Sequence, residues 1–110
     1  MIAAFFLAAT SAPVGVAIPS AFLAEWQSAR TQCGEDQENT LRISSRRLHF
    51  YEATFEPRQS RRIDNRTLSL NGLWLENGDK KPARLRLSLS SDNKRLSIRS
   101  PWWTSRLVRC

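Results

Sequence analysis

From residue 40 onward, apolar side chains recur at every second position, a spacing that fits half-buried strands and excludes amphipathic helices. Leu41 and Ile43 alternate with Arg42 and Ser44, Leu48 and Phe50 with His49 and Tyr51, and Leu68 and Leu70 with Ser69. Leu85, Leu87 and Leu89 alternate with Arg86 and Ser88, and Leu96 and Ile98 with Ser97 and Arg99. Turn-forming residues separate these segments: Ser45-Arg46, Asp64-Asn65, Asn77-Gly78-Asp79 and Ser91-Asp92-Asn93. No stretch after residue 32 keeps a helical period for three turns.

The pattern predicts strands at about 23–28, 40–44, 47–53, 55–63, 67–76, 83–90, 94–99 and 103–109. Asn71-Gly72 admits two readings. It is a two-residue hairpin turn that puts Leu68, Leu70, Leu73 and Leu75 on one face, or a β-bulge within one long strand. The bulge is preferred, because a strand over 67–76 gives Leu85 to Leu89 a partner of matching length. The expected fold is all-β, a small antiparallel meander of seven or eight short strands closing into a barrel, since closure removes exposed edges. The stretch from Ile18 to Ala29 alone keeps a helical alternative, through the spacing of Phe22, Leu23 and Trp26.

Charge divides the chain. The first 24 residues carry no charged side chain, and all 17 Lys and Arg lie beyond them. Ile2 to Thr10 is an apolar run of signal-peptide length, and Gly15-Val16-Ala17 is a small-x-small cleavage pattern. Ser11, Pro13, Gly15 and Pro19 interrupt the run before the roughly 20 apolar residues of a membrane span are reached. We therefore expect a signal peptide over residues 1–17, one domain over 18–110, and a periplasmic or secreted destination. An oxidising compartment leaves the two cysteines, Cys33 and Cys110, one intramolecular pairing. The alternatives are free thiols or an intermolecular bridge.

Trp26 with Cys33 seven residues on, Phe50-Tyr51-Glu52 closing the second alternating segment, and Arg109-Cys110 form a pattern that resembles a group of small exported proteins of Gram-negative bacteria. The resemblance implies the barrel and the exported compartment, and it brings no activity. Ala24-Glu25-Trp26 is also similar to the Gly-x-Trp opening of lipocalin-type (calycin) barrels, with Ala24 where that motif has Gly.

Little in the chain supports catalysis. There is one histidine, His49, and no Gly-x-Ser-x-Gly elbow, phosphate loop, HExxH or EF-hand spacing. With both cysteines paired, thiol catalysis and cysteine-rich metal sites are also absent from the reading. No catalytic residue, metal site or cofactor is assigned, and the chain is read as a non-enzymatic monomer. Glu52 shares the phase of Leu48 and Phe50, so it is expected inward beside an arginine, lining a small pocket with Trp26 and Phe50; the alternative is a strand-end carboxylate in water.

The formal charge is +7, with fourteen Arg against three Lys. Arg84, Arg86, Arg95 and Arg99 take the polar phase of neighbouring strands, so they are expected to form one guanidinium-rich face suited to phosphate or carboxylate; the alternative is an ordinary solvated face written by an arginine-rich codon bias. Trp102-Trp103 puts one indole inward and one outward, the outer one either an anchor beside Arg99 and Arg106 or a cover over an open end of the barrel. Outside the cytoplasm the expected partner is an anionic envelope polymer, lipid headgroups or an acidic protein, and nucleic acid is not expected. The competing readings are a calycin-type small-ligand carrier and an inhibitor of an exported hydrolase.

Overall fold

The computed structural model of the protein describes residues 16–110. The apolar run read as a signal peptide lies outside the described residues, of which only Val16 and Ala17 belong to the expected leader. Eight strands follow: β1 (Ala24–Gln27), β2 (Leu41–Ile43), β3 (Leu48–Phe50), β4 (Ala53–Asp64), β5 (Thr67–Glu76), β6 (Asp79–Leu89), β7 (Arg95–Arg99) and β8 (Thr104–Arg109). Each pairs antiparallel with the next, and β1 pairs with β8, so the meander closes into a barrel as the alternation predicts. Among the described residues two single 3₁₀ turns, Ser20–Phe22 and Arg30–Gln32, interrupt the β structure, and the helical reading of residues 18–29 reduces to the first of them.

Inward-facing residues make one core. Leu41, Leu48, Phe55, Leu70, Leu85, Leu87, Leu96 and Ile98 are essentially without solvent contact. The segment before β1 packs against this core through Ile18 and Phe22, with the Ile18 amide donating to the Ser45 carbonyl at 2.7 Å. Two-residue turns set the registers. Asn77 and Gly78 both have positive φ (54° and 82°), the pairing of a type I′ turn whose twist matches that of the flanking strands.

The long strand over 67–76 exists, but the bulge expected in it lies on its partner. β5 keeps one phase throughout, with Leu68, Leu70 and Trp74 buried on the same face and Gly72 between them. The register slips instead in β4, between Pro57 and Gln59, so Arg58 is the extra residue. Gly72 allows this close approach. A Cβ built there would fall 2.1 Å from the Glu56 carbonyl oxygen, so only glycine fits beneath β4.

Cys33 and Cys110 form a disulfide across 77 residues of sequence, with Cα atoms 5.6 Å apart. The bond holds the β1–β2 connection against the end of β8, beside the barrel seam. That connection folds over the outer side of β1 because Gln27, though outward in phase, is buried under it. The Gln27 amide and the Thr40 hydroxyl bond each other at 2.9 Å, and both reach the Glu35 carbonyl, at 2.8 and 2.9 Å. Burying these polar groups costs little once they satisfy one another.

Candidate anion-binding face

The outward phase of the sheet places basic residues in register. In β6, Leu85 and Leu87 are buried, so Arg84 and Arg86 are exposed; in β7, burial of Leu96 and Ile98 exposes Arg95 and Arg99. Arg86 is the direct cross-strand partner of Arg99, and Ser97 that of Arg106 on β8. The four arginines expected from the sequence therefore share one face of the β6–β7 hairpin.

A fifth arginine joins them through the bulge. By simple alternation with Phe55 and Pro57, Arg61 would point inward. The slip at Arg58 turns it outward, paired with Ser69, while Gln59 pairs with Asn71. Arg61, Arg84 and Arg86 then border a polar groove of about 550 Å³ with Gln59, Ser69 and Asn71. Asn71 fixes one of its cations, accepting a hydrogen bond from Arg84 Nε at 2.9 Å. An adjoining hollow runs from Arg84 to Pro101.

Acidic residues are kept off the β5 to β8 part of this face, while on β4 Glu56 and Asp64 take outward positions on either side of Arg61. The outward positions of β5, β6, β7 and β8 hold Thr, Ser, Asn, Leu, Lys, Pro, Arg and Val, and no carboxylate. Among the described residues, the ion pairs are Arg42 with Glu25 and Asp36, and Arg47 and Arg58 with Glu56, none of them on β6 or β7. There the carboxylates are held in their charged forms. The Gln27 side chain, the Gly34 amide and Arg42 lower the Glu25 pKa, and the Arg58 and Arg47 guanidinium groups lower that of Glu56. Arg61, Arg84, Arg86, Arg95 and Arg99 take part in none of these ion pairs.

The tandem tryptophans separate as their positions require. Trp102 is exposed and Trp103 packs partly into the core, while both approach Trp74, at 5.7 and 6.0 Å between ring centroids. Ser100 Oγ accepts from both of their amides and pins the turn.

The pocket expected around Trp26, Phe50 and Glu52 is rearranged. Glu52 is not inward; with φ 63° it forms the β3–β4 turn with Tyr51 and stands in solvent, because β3 ends at Phe50 and its phase ends there too. Trp26 is a closed core residue, its indole N–H donating to the Phe22 carbonyl at 3.0 Å and its ring covered by the Arg109 guanidinium at 4.5 Å. Phe50 does line a cavity, at the barrel mouth, of about 210 Å³, with Trp74, Trp103 and Leu107. His49 faces outward between Arg42 and Thr54. Among the described residues, no three His, Cys, Asp or Glu converge as a metal site would need, and no helix is long and apolar enough to cross a membrane.

Arg61 and the groove amides were missed in the sequence because their outward aim depends on a register slip set by the neighbouring strand. The Arg58-x-x-Arg61-Arg62 cluster was the available signal. In comparisons with known proteins, no family model, curated protein or solved structure matches this chain.

Proposed function

We propose that this chain is an exported, non-enzymatic barrel that binds the phosphate or carboxylate groups of an anionic envelope component through Arg61, Arg84, Arg86, Arg95 and Arg99, with Trp102 as a neighbouring anchor. The observation that carries this reading is the register pair Arg86–Arg99 on the outer face of β5 to β8, where no outward strand position holds a carboxylate. Like charges placed directly opposite destabilise a sheet, so packing gives no reason for the arrangement, whereas an oxyanion held between two guanidinium forks does.

Export is supported by the surroundings of the expected cleavage point. Ala17 is exposed, whereas Ile18 is buried in the core and hydrogen-bonded to Ser45, so cleavage after Ala17 would leave the barrel intact. The disulfide supports an oxidising compartment. A carrier of ordinary calycin cargo fits less well, since the mouth cavity, about 210 Å³, falls below the ~300–1,000 Å³ of usual ligand pockets.

The test is co-sedimentation with vesicles of anionic lipid, vesicles of zwitterionic lipid and purified lipopolysaccharide, at low and high salt. We expect retention on the anionic surfaces, lost at high salt and lost in the Arg86→Ser/Arg95→Ser/Arg99→Ser variant. Equal binding by wild type and the triple variant at low salt refutes the proposal. Capture of acidic proteins only, with no anionic-surface retention, replaces the envelope component by a protein partner. N-terminal sequencing of the exported protein should begin at Ile18; a membrane-retained product starting at Met1 refutes export.

A further inference from the structure

The mouth of the barrel carries chemistry opposite to that of its basic flank. Phe50 from β3, Trp74 from β5 and Trp103 from the turn before β8 converge there, with centroids 4.9 Å (Phe50–Trp74), 5.6 Å (Phe50–Trp103) and 6.0 Å (Trp74–Trp103) apart. Their planes are inclined at 43°, 68° and 64°, so the rings form a tripod rather than a stack. Trp74 is held in place by Glu76, whose carboxylate accepts its indole N–H at 2.8 Å. Together the three rings wall the small cavity, above a floor that includes Leu41 and Ile98.

Two further observations give the cavity a charge preference. Glu38 lies on its rim and takes part in no ion pair among the described residues, although the chain carries a formal +7. A ring of the same cluster takes an ammonium outside the cavity: Lys81 Nζ sits 4.3 Å from the Trp102 ring centroid, and Trp102 packs on Trp74, so Glu38 must also offset the repulsion of Lys81 toward a second cation. Ring faces attract cations through their quadrupole, and a carboxylate at the rim adds to that attraction.

We propose that the barrel mouth binds a small organic ammonium, of the size of a trimethylammonium group on a short alkyl stem, against Phe50, Trp74 and Trp103, with Glu38 facing the charge. The hollow of about 210 Å³, open at the mouth, has room for such a group. This site is independent of the arginine face and of the anionic ligand assigned to it.

The experiment titrates the exported protein with choline and, separately, with 3,3-dimethylbutan-1-ol, its uncharged isostere, following tryptophan fluorescence and the indole N–H resonances. We expect choline to give a saturable response and the isostere to bind about tenfold more weakly or worse. Glu38→Gln, at an exposed position that leaves the fold intact, should weaken choline several-fold, and Trp103→Leu should weaken it about tenfold. Arg86→Ser should leave choline binding unchanged, which separates this site from the basic face. Equal affinity for choline and its isostere overturns the proposal and makes the mouth a plain apolar hollow. No saturable response at about 50 mM choline overturns it as well.

Discussion

Arg86 on β6 and Arg99 on β7 are direct cross-strand partners, two cations held side by side on the outer face of one hairpin. Replacing Arg86 by Glu converts the like-charged pair into an opposite one. Because the pair is exposed, we expect a gain in unfolding free energy of only about 0.2–1 kcal/mol in urea titrations, together with weaker retention on anionic vesicles. Stability and binding should move in opposite directions. A variant that loses both would show that Arg86 serves the fold.

Leu87 tests the inner side of the same strand. It is fully buried, and its cross-strand partners Leu68 and Ile98 are buried too, so Leu87→Ala leaves a cavity that the closed sheet cannot collapse. We expect a loss of about 2–5 kcal/mol in denaturant unfolding. Binding per folded molecule should be retained, because Arg84 and Arg86 keep their outward phase.

Gly72 has no room for a side chain under the β4 bulge. Gly72→Ala should therefore cost about 1–3 kcal/mol, as overpacked sites do, although alanine is tolerated in most strands. The atoms in the way belong to the Glu56 and Pro57 backbone, which rotamer changes cannot clear. Deleting Arg58 should remove the bulge and leave Gln59 and Arg61 outward, opposite Asn71 and Ser69, so vesicle binding should be kept, and the loss of the exposed Arg58–Glu56 ion pair should register only slightly in thermal unfolding.

Reduction of Cys33–Cys110 removes a cross-link spanning 77 residues. Loop-closure entropy assigns such a bond about 4 kcal/mol. The thermal midpoint should fall in reductant, and mass spectrometry of the oxidised monomer should show two hydrogens fewer than the reduced form. Free thiols in the folded protein prepared without reductant would contradict this.

Acid should weaken the ion pairs beside β1 and β4. Folding lowers the Glu25 pKa, chiefly through the Gln27 hydrogen bond, and the Glu56 pKa, chiefly through the Arg58 hydrogen bond. A carboxylate whose pKa falls on folding stabilises the native state fully above the ordinary glutamate value of about 4.3, and loses that contribution as the pH drops through the depressed value. The thermal midpoint should thus be flat near neutrality and decline below about pH 4. Glu25→Gln should lessen the decline by a small amount, since both carboxylates remain partly in water.

The strands were legible in the sequence because their signals are local. Alternation at Leu85-Arg86-Leu87 and turn residues such as Asn77-Gly78 need no knowledge of the partner strand, and all eight strands fall close to the positions read from them. Features set by two strands together were not legible. The phase slip read at Asn71-Gly72 belongs to Arg58, since a glycine in one strand and a bulge in the next leave the same irregularity in the pattern. Glu52 was extrapolated along a strand that stops at Phe50. Gln27 gave no sign that a disulfide-tethered loop would cover it. The arginine face was legible in four members, and its fifth, Arg61, required the slip.

The seam between β1 and β8 consists of two register pairs, Trp26–Arg109 and Gln27–Val108, whereas every other strand junction joins neighbours in sequence. Hairpins can therefore assemble quickly and independently, and the slow event is the meeting of the first strand with the last. With the cysteines joined, that encounter is confined to a short search. We expect refolding of the oxidised chain to be fast and single-phased, and the reduced chain to pause as an uncurled sheet with the edges of β1 and β8 bare. An uncurled sheet of this kind is a template for pairing with other copies. In a reducing compartment the chain would be exposed to self-association for as long as the pause lasts, so the thiol state of its surroundings decides whether the sheet curls into a ring or stays open to its neighbours.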